Sequence, residues 1–254
     1  MVRAIPAYMA VNRTPRAVDP DPLPHFRPVI IVMAKVPRIG VVKTRLQPFL
    51  TGEQCSSLAE AFLKDTVRMA TSICADVIVA FYPPDGRNEI AQIVGADITL
   101  IPQDGAGLGE RLDGAVSEAA HLEFSPIVVI GTDSPTLPYE FLIDAMAAFR
   151  EPDTDVVLGG TEDGGYYLIA LRRPTPGIFD DIRWSSEHVY RDTLARAQTL
   201  GLTRIGELQR WYDVDNPPDL IRLRKEFATD GSLKSRCPNM HAWLGENLLP
   251  LDAS

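Results

Sequence analysis

Residues 27–46 read RPVIIVMAKVPRIGVVKTRL. Val29 to Ala34 is a short, unbroken apolar run, and its length and branched side chains predict a strand buried on both faces. The run passes straight into a loop containing Pro37 and Gly40, together with the cations Lys35, Lys43 and Arg45. Cations at the carboxyl end of the first strand of a parallel sheet are well placed to hold phosphates. A solvated basic loop is the plainer reading of any single lysine, but cations clustered after one strand weigh against it. The spacing is not that of a P-loop, because GxxxxGK[ST] is absent.

Outward from that stretch, apolar runs alternate with helical segments. Strands are expected near 76–82, 98–102 and 127–130, with helices near 52–73, 86–94, 109–120 and 138–149. Thr51 and Gln54 form a capping-box signature for the first helix. Such βα repetition predicts a parallel sheet covered on both faces. Runs at 156–159 and 166–170, separated by the turn-prone TEDGG, predict an antiparallel hairpin and make the sheet mixed. A helix near 187–200, a strand near 204–208 and a helix opened by Asn216-Pro217-Pro218-Asp219 complete the core. Residues 1–26 contain five prolines and no apolar periodicity, which predicts a flexible extension. The folded domain is expected over 27–228, followed by a tail over 229–254 with a short docking helix.

At 254 residues, one main domain is the default. A net charge of -9 argues against a general nucleic-acid binder, while leaving room for a small cationic pocket that takes a mononucleotide. The three cysteines, Cys55, Cys74 and Cys237, form no CxxC pair, which disfavours a disulfide framework or a structural zinc site. With no apolar run near the ~20 residues of a membrane helix and no secretory signal pattern, a cytoplasmic protein is expected.

Two acidic motifs face the basic loop. Asp133, in Thr132-Asp133-Ser134-Pro135, follows the apolar run IVVIG and should lie at a strand's carboxyl edge. In Trp211-Tyr212-Asp213-Val214-Asp215, an extended backbone turns both aspartates to one side, and Asp215 is the preferred second ligand. Two carboxylates suffice for Mg2+ or Mn2+ when phosphate and water fill the remaining positions. The plainer alternatives are that Asp133 caps the next helix and that Asp213 and Asp215 solvate a turn. Lys43, Arg45 and Asp133 are therefore the catalytic candidates, and Asp133 and Asp215 the metal candidates. Nucleotide contacts are expected from Lys35, Gly40, Lys43, Arg45 and the glycine-rich loop bearing Gln103, Gly107 and Arg111. Asp163, Gly164, Gly165 and Trp184 are candidates for the acceptor side, with a hairpin turn and a helix cap at Ser185 or Ser186 as the structural alternatives.

Together, MAKVPRIGVVKTRL, GLGERL, GTDSPTLP, DGGYYLIAL, IRWSSEHV and WYDVDNPPDL resemble a bacterial family of GT-A-superfamily glycosyltransferases often found beside radical-enzyme or arsenosugar genes, over roughly 29–227. The resemblance implies a three-layer α/β/α, Rossmann-like nucleotide-diphospho-sugar transferase fold with a mostly parallel, mixed central sheet, and puts Asp133 at the position of the metal-binding aspartate. KTRL and DVDNPPDL are also similar to the guanylyltransferases of cofactor biosynthesis, in which the cationic loop grips a nucleoside triphosphate and the residue matching Asp215 helps hold metal. The GGxSxRMG loop of the molybdopterin enzymes is missing. The expected function is metal-dependent glycosyl transfer from a nucleotide sugar to a small-molecule acceptor. The alternatives are nucleotidyl transfer with pyrophosphate release, towards which the amount of positive charge leans, and an inactive nucleotide-binding module. Neither nucleic acid nor membrane is an expected partner, and a homodimer is the candidate assembly.

Overall fold

The computed structural model describes residues 26–47 and 49–247. The predicted extension, apart from Phe26, lies outside the described residues. In chain order the strands are β1 (Val29–Lys35), β2 (Val77–Tyr82), β3 (Thr99–Pro102), β4 (Ile127–Ile130), β5 (Val156–Thr161), β6 (Tyr166–Leu171) and β7 (Ile205–Trp211). The helices are α1 (Gly52–Ile73), α2 (Arg87–Val94), α3 (Leu108–His121), α4 (Tyr139–Ala148), α5 (Val189–Thr199), α6 (Pro217–Thr229), α7 (Leu233–Arg236) and α8 (Pro238–Glu246).

The strands form one seven-stranded sheet in the order β3-β2-β1-β4-β6-β5-β7. Only β6 runs against the others: it pairs antiparallel with β4 and β5, while β5 and β7 are parallel. The carboxyl ends of β1, β2, β3, β4, β5 and β7 therefore share one edge. The strand order reverses between β1 and β4, a topological switch point of the kind that opens a ligand crevice.

Alternation along β1 divides the core. Ile30, Val32 and Ala34 pack with Leu63, Val67 and Ala70 of α1, Ile90 of α2 and Leu142 of α4. Val29 and Ile31 face the opposite layer, where Leu112, Ala115 and Ala119 of α3 and Ala197 of α5 cover the sheet. This is the expected α/β/α arrangement. A third cluster joins Leu58 and Phe62 of α1 to Val214 after β7, Leu220 and Leu223 of α6, and Met240 and Trp243 of α8. Asp65 of α1 anchors α8 directly, accepting from Asn239 N at 3.1 Å and Met240 N at 2.8 Å. Thr51 and Gln54 close the capping box on α1, and Asn216 with Asp219 closes another on α6. β7 extends three residues beyond the predicted end, through Gln209, Arg210 and Trp211. It is an edge strand with mostly half-exposed residues, so its end carries no apolar alternation to announce it.

None of the described helices is long and apolar enough to cross a membrane.

Candidate active site at the carboxyl edge

Lys43 is the pivot of the site. Its backbone is left-handed, with φ 49° and ψ 35°, and its side chain is only 6% exposed. A non-glycine residue held in that region is strained and persists where its surroundings over-determine it. Those surroundings are specific. Lys43 Nζ donates to Val214 O at 2.8 Å and to Asp215 Oδ1 at 3.1 Å, and lies 2.5 Å from Asp133 Oδ1. Burial alone would lower the pKa of this ammonium, but Asp133 and Asp215 outweigh it and raise the pKa above the usual lysine value.

The fold brings these groups together because β1 and β4 are adjacent and parallel, so the loops leaving them start side by side. The segment after β7 is then stitched to the segment after β4 by Val214 N donating to Asp133 O at 2.8 Å. Val214 is fully buried, which leaves its two aspartate neighbours at the site, in the alternation expected of extended chain. Asp133 does not cap α4, whose N-cap is Pro138 without a side-chain bond. Nor does Asp215 cap α6, since Asn216 does so. Both plainer readings of these carboxylates give way to the ion pairs with Lys43.

Asp213 is held by a hydroxyl rather than by Lys43. Ser134 Oγ donates to its Oδ1 in a short hydrogen bond. Its pKa is pushed up to about 7 by burial, partly offset by that hydrogen bond and reinforced by the charges of Asp133, Asp215 and Asp163. Sequence reasoning passed over the Ser134–Asp213 pair, for which the only signal was TDSP and DVD each ending a strand.

The other candidates are distributed along the same edge. Arg45 is 72% exposed and lies 3.7 Å from Asp215, free to turn towards an anion. Lys35 is exposed at the end of β1, and Gly40 makes the loop's turn with φ 77°. The glycine-rich loop is more self-contained than expected. Gln103 is buried, and its amide nitrogen bonds Ala80 O at 2.7 Å and Ala34 O at 3.3 Å, bracing the ends of β2 and β1. Arg111 bonds Gly105 O at 3.0 Å and stacks 3.6 Å from the Tyr82 ring, while Gly107 is the N-cap of α3. In the β5–β6 hairpin, Asp163 Oδ1 accepts from Thr161 Oγ1 at 2.5 Å and from Gly165 N at 3.1 Å. Gly164 sits at φ 93° against Glu187 O, where a Cβ would come within 2.2 Å. These contacts make the turn itself, with the Asp163 charge still felt at Asp213. Trp184 packs edge-on to Tyr166, centroids 6.3 Å apart, and closes over Gly109 at the start of α3. The expected serine cap on α5 is absent: its N-cap is His188, and Ser186 instead bonds the preceding turn.

Among the described residues, no three His, Cys, Asp or Glu side chains form a ready metal cage. The donor set fits a hard divalent ion all the same, because Asp133 and Asp215 are partly exposed carboxylates 48% and 34% open to solvent, and phosphate and water can supply the remaining oxygens. Surface depressions of about 330 and 440 Å3 lie instead around Arg68, near the far end of α1, and contain none of these residues.

Residues 65–186 match a family described as uncharacterized proteins conserved in bacteria, DUF2064. The chain is 33% identical over 194 residues to a phosphoenolpyruvate guanylyltransferase of Mycobacterium leprae, covering 75% of this chain and 86% of the relative. It is 29% identical over 187 residues to a 2-phospho-L-lactate guanylyltransferase of Methanothrix thermoacetophila, covering 71% and 77%. A crystal structure from Desulfovibrio desulfuricans, provisionally assigned as a nucleotide-diphospho-sugar transferase, superposes with a TM-score of 0.79 at 30% identity over 87% of this chain and 95% of that one.

Proposed function

The chain belongs to the family of the phosphoenolpyruvate guanylyltransferases and shares the nucleotide-diphospho-sugar transferase fold, and from that premise we propose that this transferase catalyses nucleotidyl transfer to a phosphorylated small carboxylic acid. An oxygen of the acceptor's phosphate attacks the α-phosphorus of a nucleoside triphosphate, with GTP preferred, and pyrophosphate departs. The observation that carries this reading is the cation Lys43 buried between Asp133 and Asp215 at the β1/β4 switch point, with Arg45 exposed beside Asp215.

Phosphoryl transfer asks a protein chiefly for positioning and charge neutralisation. Arg45 offers a planar fork to phosphate oxygens and Lys43 a compact charge, both suited to the charge that grows on the leaving pyrophosphate. Mg2+ or Mn2+, when bound, would be held by Asp133 and Asp215 and would neutralise phosphoryl charge. Asp163, whose charge is felt at Asp213, is proposed for the acceptor side together with Gly164, Gly165 and Trp184. The expected glycosyl transfer draws support from the fold match alone, whereas the sequence relatives carry guanylyltransferase names.

The decisive test is pyrophosphate release from a panel of nucleoside triphosphates, each with phosphoenolpyruvate or 2-phospholactate, in the presence of Mg2+. Release coupled to acceptor consumption, greatest with GTP and abolished by Asp133→Ala, is the expected result. Transfer from a nucleotide sugar with no pyrophosphate release from any triphosphate overturns the reading in favour of glycosyl transfer.

A further inference from the structure

We propose that Lys43 is a displaceable internal counter-ion: in the resting protein its ammonium occupies the place between Asp133 and Asp215 that a divalent cation takes, so that cation binding ejects Lys43 towards the phosphate side. The inference rests on the reading of Asp133 and Asp215 as cation ligands and extends it to the order of events at the site.

Three observations carry it. First, one ammonium contacts both candidate ligands, at 2.5 and 3.1 Å, and a divalent ion bound by the same oxygens would place its charge within the same few ångströms. Two cations that close, in a partly buried setting, repel strongly, so occupancy by one disfavours the other. Second, the Lys43 side chain is 6% exposed, and its ammonium also meets the neutral carbonyl of Val214 and lies 5.2 Å from the centre of the Phe62 ring, so in this conformation it is committed inward and turned away from any solvent-borne anion. A lysine meant only for phosphate has no need of such a position. Third, the residue is held at φ 49°. Loss of the ion pairs removes part of what holds this strained backbone, whose carbonyl also accepts from Leu46 N and Cys55 Sγ, and the flexible four-carbon stem then carries the charge outward.

The consequence is coupling. Without the divalent ion, Lys43 is neutralised in place and the phosphate-binding surface lacks one of its cations. With the ion bound, the carboxylates are satisfied by the metal and Lys43 becomes available, so ion and triphosphate each favour the binding of the other.

The test uses the full chain and Mn2+ alone, without nucleotide. Electron paramagnetic resonance measures bound Mn2+ in the wild type and in Lys43→Met, with circular dichroism confirming that the variant is folded. The variant is expected to bind Mn2+ at least about tenfold more tightly, because the competing charge is gone. In parallel, wild-type protein is treated with an amine-reactive reagent and the modification of Lys43 is read by mass spectrometry. Lys43 should be protected without Mn2+ and labelled at saturating Mn2+. Equal affinities, tighter binding by the wild type, or no binding by either protein overturns the proposal, as does a Lys43 that stays protected while Mn2+ is bound. With no triphosphate present, these outcomes stand apart from pyrophosphate release, so the counter-ion exchange can hold while the nucleotidyl-transfer reading fails, and the reverse.

Discussion

Replacing Asp133 by asparagine keeps the shape of the side chain and removes one charge from the Lys43 cluster. Lys43 retains Asp215 at 3.1 Å and Val214 O at 2.8 Å, but its closest partner, at 2.5 Å, becomes a neutral amide oxygen. A hydrogen bond to a charged group contributes roughly 1.5–3 kcal/mol to stability. The Asp133 side chain is 48% exposed, so water already screens part of that attraction, and about 1–2 kcal/mol is the appropriate range. At ~2–4 °C per kcal/mol for a chain of this size, Tm should fall by about 2–8 °C without loss of cooperativity. Thermal unfolding followed by circular dichroism in a metal-free buffer measures it. A double-mutant cycle with Lys43→Met isolates the pair, and a coupling of about 1 kcal/mol or more is expected. In turnover assays the same substitution should cost at least ~100-fold, the scale on which loss of one preorganised charge-stabilising group is felt. An unchanged Tm together with additive effects in the cycle refutes the claim that Asp133 holds Lys43. Full turnover in a stable variant refutes its place in the reaction.

Gly164→Ala should destabilise the protein by roughly 2–5 kcal/mol, the sum of about 1–2 for a side chain at positive φ and 1–3 for overpacking against Glu187 O, read from the urea midpoint. A change below about 0.5 kcal/mol, the ordinary range for a surface substitution, would show that the hairpin is not pinned to the start of α5. Asp192 is gripped by Arg183 through two 2.7 Å bonds, and this partner holds its carboxyl at about 2, below the ordinary 3.8. Because the folded value lies below the unfolded one, the stabilisation is present above pH 3.8 and is lost as pH falls towards 2. The advantage of wild type over Arg183→Gln in denaturant midpoint should therefore shrink between pH 6 and pH 3, and an advantage that grows on acidification contradicts the assignment.

The sheet was legible because its strands are short, unbroken apolar runs separated by helices of clear period, and the second capping motif, Asn216 to Asp219, marks α6 with the same chemistry as Thr51 to Gln54 marks α1. Legibility fails where a strand end is exposed, as at Gln209 to Trp211, and where local contacts that the sequence does not announce engage a polar side chain, as Thr161 and Gly165 engage Asp163. The basic loop shows the limit most sharply. Lys35, Lys43 and Arg45 are equivalent charges when read along the chain, yet only Lys43 is buried. What selects it is not its neighbours in sequence but acceptors 171 and 172 residues away, brought into range when the segment after β7 hydrogen-bonds to that after β4. Burying a charge is costly unless partners compensate it, so the choice among the three cations is made by tertiary structure alone. The same logic explains the difference between Asp213 and Asp215, separated by one buried valine. Asp215 meets an ammonium and stays partly open to solvent, while Asp213 is buried against a hydroxyl and three like charges and is driven towards neutrality, so one short motif supplies two carboxyl groups in different electrostatic surroundings.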